Sequence, residues 1–395
     1  MNPELALLQP YPFEKLRVLL DGITPANKSY IALSVGEPKH DAPQFVLDAL
    51  IENLRGVQTY PSTRGTEALR QSIANWLCQR FQLSGAEQLA SSHILPVNGT
   101  REALFAIAQC VLDRTAKHKD VLMPNPFYQI YEGAVLLAGC KPAFYNISAD
   151  GDNDINAISD EQFASCQLFY LCNPGNPTGS VLSKAALTRL IEIAQEHDFL
   201  IVSDECYSEI YRESAGAPTG LLQAAHAMGN TAYDHCLVFH SLSKRSNLPG
   251  MRSGFVAGDK NVISQFLQYR TYHGCSMAPP VQHASTIAWQ DEKHVQENRR
   301  AYDEKYGAVL KLLKPVMQVE KPDAGFYLWP TLPVDDTVFT QQALREQNVA
   351  LVPGSYLGRE VDGINPGGMH VRLALVAQLD ECIEAATRLV SVLDA

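Results

Sequence analysis

The sequence predicts an α/β fold, with a mostly parallel central sheet in a large domain and a smaller α+β domain beside it. Three observations predict it. Short apolar runs rich in Val, Ile, Leu and Phe alternate with helical patterns through the middle of the chain. After about residue 280 that alternation gives way to a long helical stretch and scattered shorter strands. The length, 395 residues, is more than one ordinary core organises.

The elements follow in chain order. The first forty residues hold Pro-rich turns and no clear βα unit, which assigns them to the smaller domain. In LRQSIANWLCQRF, Leu69, Ile73, Leu77 and Phe81 share one face of a helix. HILPV (93–97) reads as a buried strand, and REALFAIAQCVL brings Leu104, Ala108, Val111 and Leu112 onto one helical face. The runs DVLMP (120–124), QLFYLC (167–172), FLIVSD (199–204), CLVFH (236–240) and GFVAG (254–258) read as further buried strands of a mostly parallel sheet with right-handed crossovers. One long helix is expected over roughly 281–314. GFYLW, VALVP and HVRLAL read as short strands, and a final helix covers about 377–393. The domains drawn from this are 45–282 for the large one, and 1–44 with 283–395 for the small one. No repeat, low-complexity tract or flexible linker separates them, so they pack together around a cleft.

Composition narrows the class of function. Hydrophobic residues make up 46% and charged residues 19%, which fits a packed enzyme and not a disordered chain. The net charge is -11 with no basic run, which argues against a nucleic-acid partner. No apolar run is long enough to span a bilayer. The N-terminus, MNPELALLQPYPFEKL, carries Glu4 and lacks the apolar core of a signal peptide. Nine dispersed cysteines with no C-x-x-C pair read as reduced thiols of a cytoplasmic protein. The eleven histidines form no metal-ligand pattern, so no metal is expected.

Ligands of open α/β sheets bind beyond the carboxyl ends of the strands. Five apolar runs present a polar or aromatic group there. NGTREAL follows the first. A small-residue turn opening a helix is an anion site, although Asn98 or Thr100 also suits an ordinary N-cap. No G-x-G-x-x-G or Walker motif accompanies it. PNPFY places Tyr128 at the edge. NPGNPTG is a rigid loop able to hold Asn176 against a ligand. Asp204 ends FLIVSD, free to cap a helix or meet a cation, with Tyr207 one turn on.

Last comes SLSKRSNLPGMRSG. Lys244 sits among small side chains, with Arg245 next to it and Arg252 eight positions on, where desolvation and like charge favour its neutral amine. A neutral amine is a nucleophile that condenses with an aldehyde. A lone lysine is more often a solvated surface residue; beside an anion site, an Asp, an Asn and a Tyr at one sheet edge, the sharper reading prevails. Together these groups match what pyridoxal 5'-phosphate needs: a phosphate nest, an anion for the pyridinium nitrogen, donors for the ring oxygen, an aromatic partner for the ring face and a lysine for the aldehyde.

With those residues in view, the chain resembles the class I/II aminotransferases of the fold-type-I pyridoxal phosphate family. The motifs SVGEP, TYPSTRGTEALR, NGTREAL, PNPFYQIYE, NPGNPTG, SDECYSEIY, SLSKRSNLPGMRSG and VRLAL carry the resemblance, in family order, over essentially the whole chain. It implies that Lys244 forms the Schiff base and shuttles the proton, that Asp204 pairs with the pyridinium nitrogen, and that Asn176 and Tyr207 hydrogen-bond the ring oxygen. It implies that Tyr128 stacks on the ring and that Gly99, Thr100, Ser241, Ser243 and Arg252 hold the phosphate, with Arg101 beside them. Tyr60 is implied to reach the phosphate of a neighbouring subunit, hence a homodimer. Gly36 is implied to lie close to the substrate and Arg372 to clamp its α-carboxylate bidentately.

A nearer resemblance, in LQPYPFEKLRVLL and LSVGEPKHDAPQFV, is to bacterial N-succinyldiaminopimelate aminotransferases of lysine biosynthesis. It implies transfer between N-succinyl-LL-2,6-diaminopimelate and 2-oxoglutarate, giving N-succinyl-2-amino-6-oxopimelate and glutamate. Lys28, Arg270 and His273 are the candidates for the extra substrate carboxylates. The competing readings are an aminotransferase for aspartate, alanine or aromatic amino acids, a carbon–sulfur lyase, and a non-catalytic regulatory protein on the same scaffold.

Overall fold

The computed structural model describes residues 1–147 and 151–393. Its largest sheet has seven strands. They are β2 (Ile94–Val97), β3 (Asp120–Asn125), β4 (Lys141–Asn146), β5 (Cys166–Cys172), β6 (Leu200–Asp204), β7 (Cys236–Ser241) and β8 (Gly254–Gly258), in the spatial order β2-β8-β7-β6-β5-β3-β4. All six apolar runs expected as strands are present. The pairs β3/β4, β3/β5, β5/β6 and β6/β7 are parallel.

Two features of this sheet depart from the sequence reading. β8 runs antiparallel to both β7 and β2. The link from β7 to β8 carries only the short helix Leu242–Arg245 and one 3-10 turn, too little for a covering crossover, so the chain doubles back. Ser241 and Gly254 are therefore paired, and the returning chain brings Arg252 to the ligand edge. The edge strand β4, KPAFYN, escaped the sequence reading because it mixes Lys, Pro and Asn with few apolar residues. An edge strand tolerates this, since one row of its backbone groups needs no partner.

Successive strand residues point to opposite faces, and each face has its own core. On one, Phe169, Ile201, Val238 and Phe255 pack against Ile73 and Leu77 of the helix Glu67–Phe81 and Leu187 and Ile191 of the helix Lys184–His197. On the other, Val121, Leu168, Val202 and Phe239 pack against Leu104 and Ile107 of the helix Thr100–Val111.

A second assembly holds β1 (Ile31–Ala32) paired with β10 (Val349–Ala350), and the antiparallel order β11-β12-β9 formed by Val352–Pro353, Val371–Ala374 and Tyr327–Leu328. Ile31 and Leu33 share its core with Leu310, Phe339, Leu373 and Leu389. The helix expected over 281–314 is two helices, Pro279–Gln290 and Lys293–Leu313, because the backbone leaves helical geometry at Asp291, which is extended. The division drawn at 282/283 thus falls inside the first of them. Ala288 and Trp289 of that helix lie in the core of the large sheet, with Ile73 and Leu77. The last helix is Leu379–Leu393. Among the described residues no helix is long and apolar enough to cross a membrane.

Candidate active site

The ends of β3, β5, β6 and β7 open into a cavity of about 400 Å³, closed from the far side by residues 35 and 36, Tyr327 and Arg372. Twelve of the residues expected at the site line it: Gly36, Thr100, Arg101, Tyr128, Asn176, Asp204, Tyr207, Ser241, Ser243, Lys244, Arg252 and Arg372. Gly99 lies just behind, at the N-cap of the helix Thr100–Val111 with φ +89°; a Cβ there would stand 2.2 Å from Arg252 Nη2, so side chain and conformation both demand glycine. Tyr60 is fully exposed and reaches no part of the cavity of its own chain.

Lys244 comes directly off β7 on the short helix Leu242–Arg245. Its Nζ donates to the Gly36 carbonyl and lies 5.4 Å from the centre of the Phe326 ring. Burial is the main cause that lowers its pKa, and the Arg372 charge adds to it. This corrects the expectation that Arg245 and Arg252 supply the like charge. The Arg252 guanidinium is paired with Glu102, its Nε 3.2 Å from Oε1. Arg245 turns away from the cavity altogether. It is 2% exposed, donates to the carbonyls of Ala288 and Asp291 at 3.0 Å each, pairs with Glu292, and packs 4.8 Å from the Trp289 ring centre.

Asp204, at the end of β6, is buried, and no cation pairs with it among the described residues. Oδ2 accepts from Tyr131 Oη at 2.8 Å and Oδ1 from the Cys206 amide at 3.2 Å. Burial raises its pKa against the opposing pull of those hydrogen bonds. Such a carboxylate calls for a positive partner inside the cavity.

Arg372 lies across from it on β12. Nη2 donates to the Ser34 carbonyl at 3.0 Å and Nη1 to Asn176 Oδ1 at 3.3 Å, and the guanidinium sits 4.5 Å over the Tyr327 ring. It has no carboxylate partner among the described residues, and its buried Nε has no hydrogen bond. Tyr207 Oη meets Tyr327 Oη at 3.1 Å.

At the other end, the first residues of the helix Thr100–Val111 face the turn after β7. Ser241 Oγ donates to Ser243 Oγ at 2.9 Å, and Thr100 Oγ1 is 3.1 Å from Cys206 Sγ. Hydroxyls, a twelve-residue helix N-terminus and Arg252 converge there, a setting for a phosphate. The donor set therefore fits pyridoxal phosphate: an anion nest, an unpaired buried carboxylate for a pyridinium and a buried, deprotonation-prone amine lie in one cavity.

Three candidates do not belong to it. Lys28 bonds the Gln347 side chain, Arg270 is buried against Asn98 and the Cys275 carbonyl, and His273 stacks on Tyr269 at 5.6 Å. None lines the cavity. Conversely, sequence reasoning passed over Tyr131, Tyr327, Cys206, Glu102 and Tyr11. Tyr131 carried a signal, standing three positions after Tyr128 on a helix.

The family described as aminotransferase class I and II matches residues 28–388. An aminotransferase of Neisseria meningitidis of known structure is 44% identical and superimposes with a TM-score of 0.94, covering 100% of each chain. A solved structure of a probable N-succinyldiaminopimelate aminotransferase from Thermus thermophilus is 25% identical, with a TM-score of 0.83 over 97% of this chain and 100% of the other. The LL-diaminopimelate aminotransferase of Maridesulfovibrio salexigens is 27% identical, over 98% of this chain and 97% of its own.

Proposed function

The chain belongs to the class I and II aminotransferases, which are fold-type-I enzymes using pyridoxal 5'-phosphate, and from that premise we propose that its amino donor is N-succinyl-LL-2,6-diaminopimelate and its acceptor 2-oxoglutarate. The observation that carries the site assignment is the pairing, in one cavity, of the unpaired carboxylate of Asp204 with the buried amine of Lys244.

In this reading Thr100, Ser241, Ser243 and Arg252 hold the phosphate, with Arg101 beside them in the cavity lining and Gly99 behind. Asp204 holds the ring nitrogen protonated. Asn176 and Tyr207 direct donors at the ring oxygen, and Tyr128 covers the ring face. When bound, the cofactor supplies the aldehyde that takes up the amino group and the ring that draws electron density from the substrate α-carbon. Arg372 orients the substrate by its α-carboxylate, for which a guanidinium is suited and an ammonium is not. Lys244 Nζ, whose burial favours the neutral amine, takes the α-proton and later returns it. Gly36 leaves room for the substrate beside Tyr327.

The similarity to the probable N-succinyldiaminopimelate aminotransferase supports the succinylated donor, and a place in lysine biosynthesis with it. The similarity to an LL-diaminopimelate aminotransferase favours a second reading, the same carbon skeleton without the succinyl group. Keto-acid formation from succinyl-diaminopimelate, LL-diaminopimelate, aspartate, alanine and cystathionine decides among them. No preference for the succinylated donor would overturn the first reading. Borohydride reduction of the yellow holoenzyme, followed by peptide mapping, tests Lys244; attachment elsewhere would refute its role.

We further propose a cytoplasmic homodimer in which Tyr60 of each subunit reaches the other's phosphate site. Its full exposure in the single chain, beside exposed Leu54 and Val57, supports this. We also propose that the division between the two units falls at 291–292, between the helices Pro279–Gln290 and Lys293–Leu313.

A further inference from the structure

Lys244 is held at its tip and at its root. At the tip, Nζ donates to the Gly36 carbonyl. At the root, its own main-chain carbonyl accepts from Asn298 Nδ2 at 3.2 Å. Asn298 is buried on the helix Lys293–Leu313, and its Oδ1 accepts from His40 Nδ1 at 2.7 Å and from Asn247 Nδ2 at 3.1 Å. His40 Nε2 in turn lies 2.6 Å from Lys305 Nζ, which also reaches the Val376 carbonyl at 3.4 Å.

The direction of this chain follows from chemistry. An amide oxygen only accepts, so His40 Nδ1 carries the proton. In a neutral ring Nε2 then accepts, and Lys305 donates to it. Burial lowers the pKa of His40, consistent with a neutral ring. Every hydrogen bond therefore points one way, from Lys305 through His40 and Asn298 to the Lys244 carbonyl. The His40 ring is fixed by packing 4.6 Å from the Tyr302 ring. His40, Asn298 and Lys305 do not line the cavity, so a bound substrate is not what they serve.

A helix of four residues has almost no internal hydrogen bonds to fix its direction. Contacts from outside must do so. Besides Asn298, the same long helix supplies His294, whose Nε2 is 2.8 Å from Ser246 Oγ. We propose that His40 and Asn298 are positioning residues, which together with the Gly36 carbonyl set where the Lys244 amine stands in the cavity. The proposal rests on the reading of Lys244 as the proton-transferring amine.

The test uses the holoenzyme and four readouts: the pH titration of its visible absorbance, kcat and KM for the preferred amino donor, and Tm. Asn298→Ala should move the absorbance midpoint by on the order of half a pH unit. It should lower kcat roughly tenfold with KM changed less than about twofold, as expected when a reacting group is misplaced. His40→Ala should act in the same direction, and His40→Asn, which keeps a donor near the Nδ1 position, should recover part of the loss. That pair decides alone if Asn298→Ala does not fold. An unmoved midpoint and kcat, with only Tm lowered and the cofactor still trapped on Lys244, would overturn the proposal and leave the network a structural one. Failure to trap the cofactor on Lys244 in the unaltered enzyme would sink both this proposal and the reading beneath it.

Discussion

Tyr131 Oη stands 2.8 Å from Asp204 Oδ2, and both residues are buried. The phenol is clamped by its stacking on Tyr170, with ring centres 4.5 Å apart and planes 11° from parallel. It donates to a carboxylate that burial already pushes toward protonation. Removing that donor makes Asp204 easier to protonate and weakens its hold on a cationic ring nitrogen. Tyr131→Phe should therefore leave the fold intact and weaken pyridoxal phosphate binding about tenfold, the scale of a hydrogen bond to a charged group. Titrating the apoenzyme with cofactor and following visible absorbance measures it. Unchanged affinity would show that the Cys206 amide alone suffices.

Arg372 supports a prediction of a different kind. Its two terminal nitrogens are oriented by Ser34 and Asn176, and its plane is stacked over Tyr327. Arg372→Lys keeps the charge and loses the planar fork. KM for both amino and keto acids should rise on the order of 100-fold, while cofactor retention and Tm change little. A loss confined to one substrate would place the α-carboxylate elsewhere.

How much of this was legible in the sequence depends on what fixes each feature. The strands of the large sheet were readable because burial on both faces turns them into continuous apolar runs, and their polar ends marked the ligand edge. Thus Asp204, Asn176 and Lys244 were found in the cavity they suggested. β4 was not readable, because an edge strand is under no such pressure. The fate of Arg245 was hidden for another reason. Sequence gives its charge and its place beside Lys244, but a turn as short as Leu242–Arg245 leaves the direction of the side chain to contacts with Trp289 and Glu292, far along the chain. The Lys305–His40–Asn298 chain was invisible on the same ground, since its members are scattered and none belongs to a local motif.

Arg245 yields a stability prediction that its sequence position did not suggest. Arg245→Met leaves the Ala288 and Asp291 carbonyls without their donor, while Glu292, a third exposed, can turn to water. The expected cost is about 2–4 kcal/mol, and Tm should fall by several degrees in a calorimetric scan. Cofactor affinity should stay within about threefold, because the guanidinium does not face the cavity. Lost affinity at unchanged Tm would instead make Arg245 a phosphate ligand.

Lys305 gives a pH dependence whose sign can be worked out in full. Burial lowers its folded pKa to about 8, against roughly 10.4 in an unfolded chain. Glu381 favours the charged amine, as a Cys382 thiolate would, Lys39 opposes it, and the Tyr302 ring lies 5.0 Å from Nζ. Cys382 is itself pushed up to about 11 and stays a neutral thiol near pH 8 to 9. Below pH 8 both states are protonated, and the folded state carries the whole cost of a buried charge. Between about 8 and about 10.4 the unfolded chain binds more protons than the folded one, so this group adds to stability as pH rises. Lys305→Met has no such titration. The Tm of the unaltered protein, minus that of Lys305→Met, should therefore climb steadily from pH 7.5 to pH 9.5. A difference that stays flat across the window would mean that Lys305 holds its proton in the folded state up to the unfolded pKa or beyond.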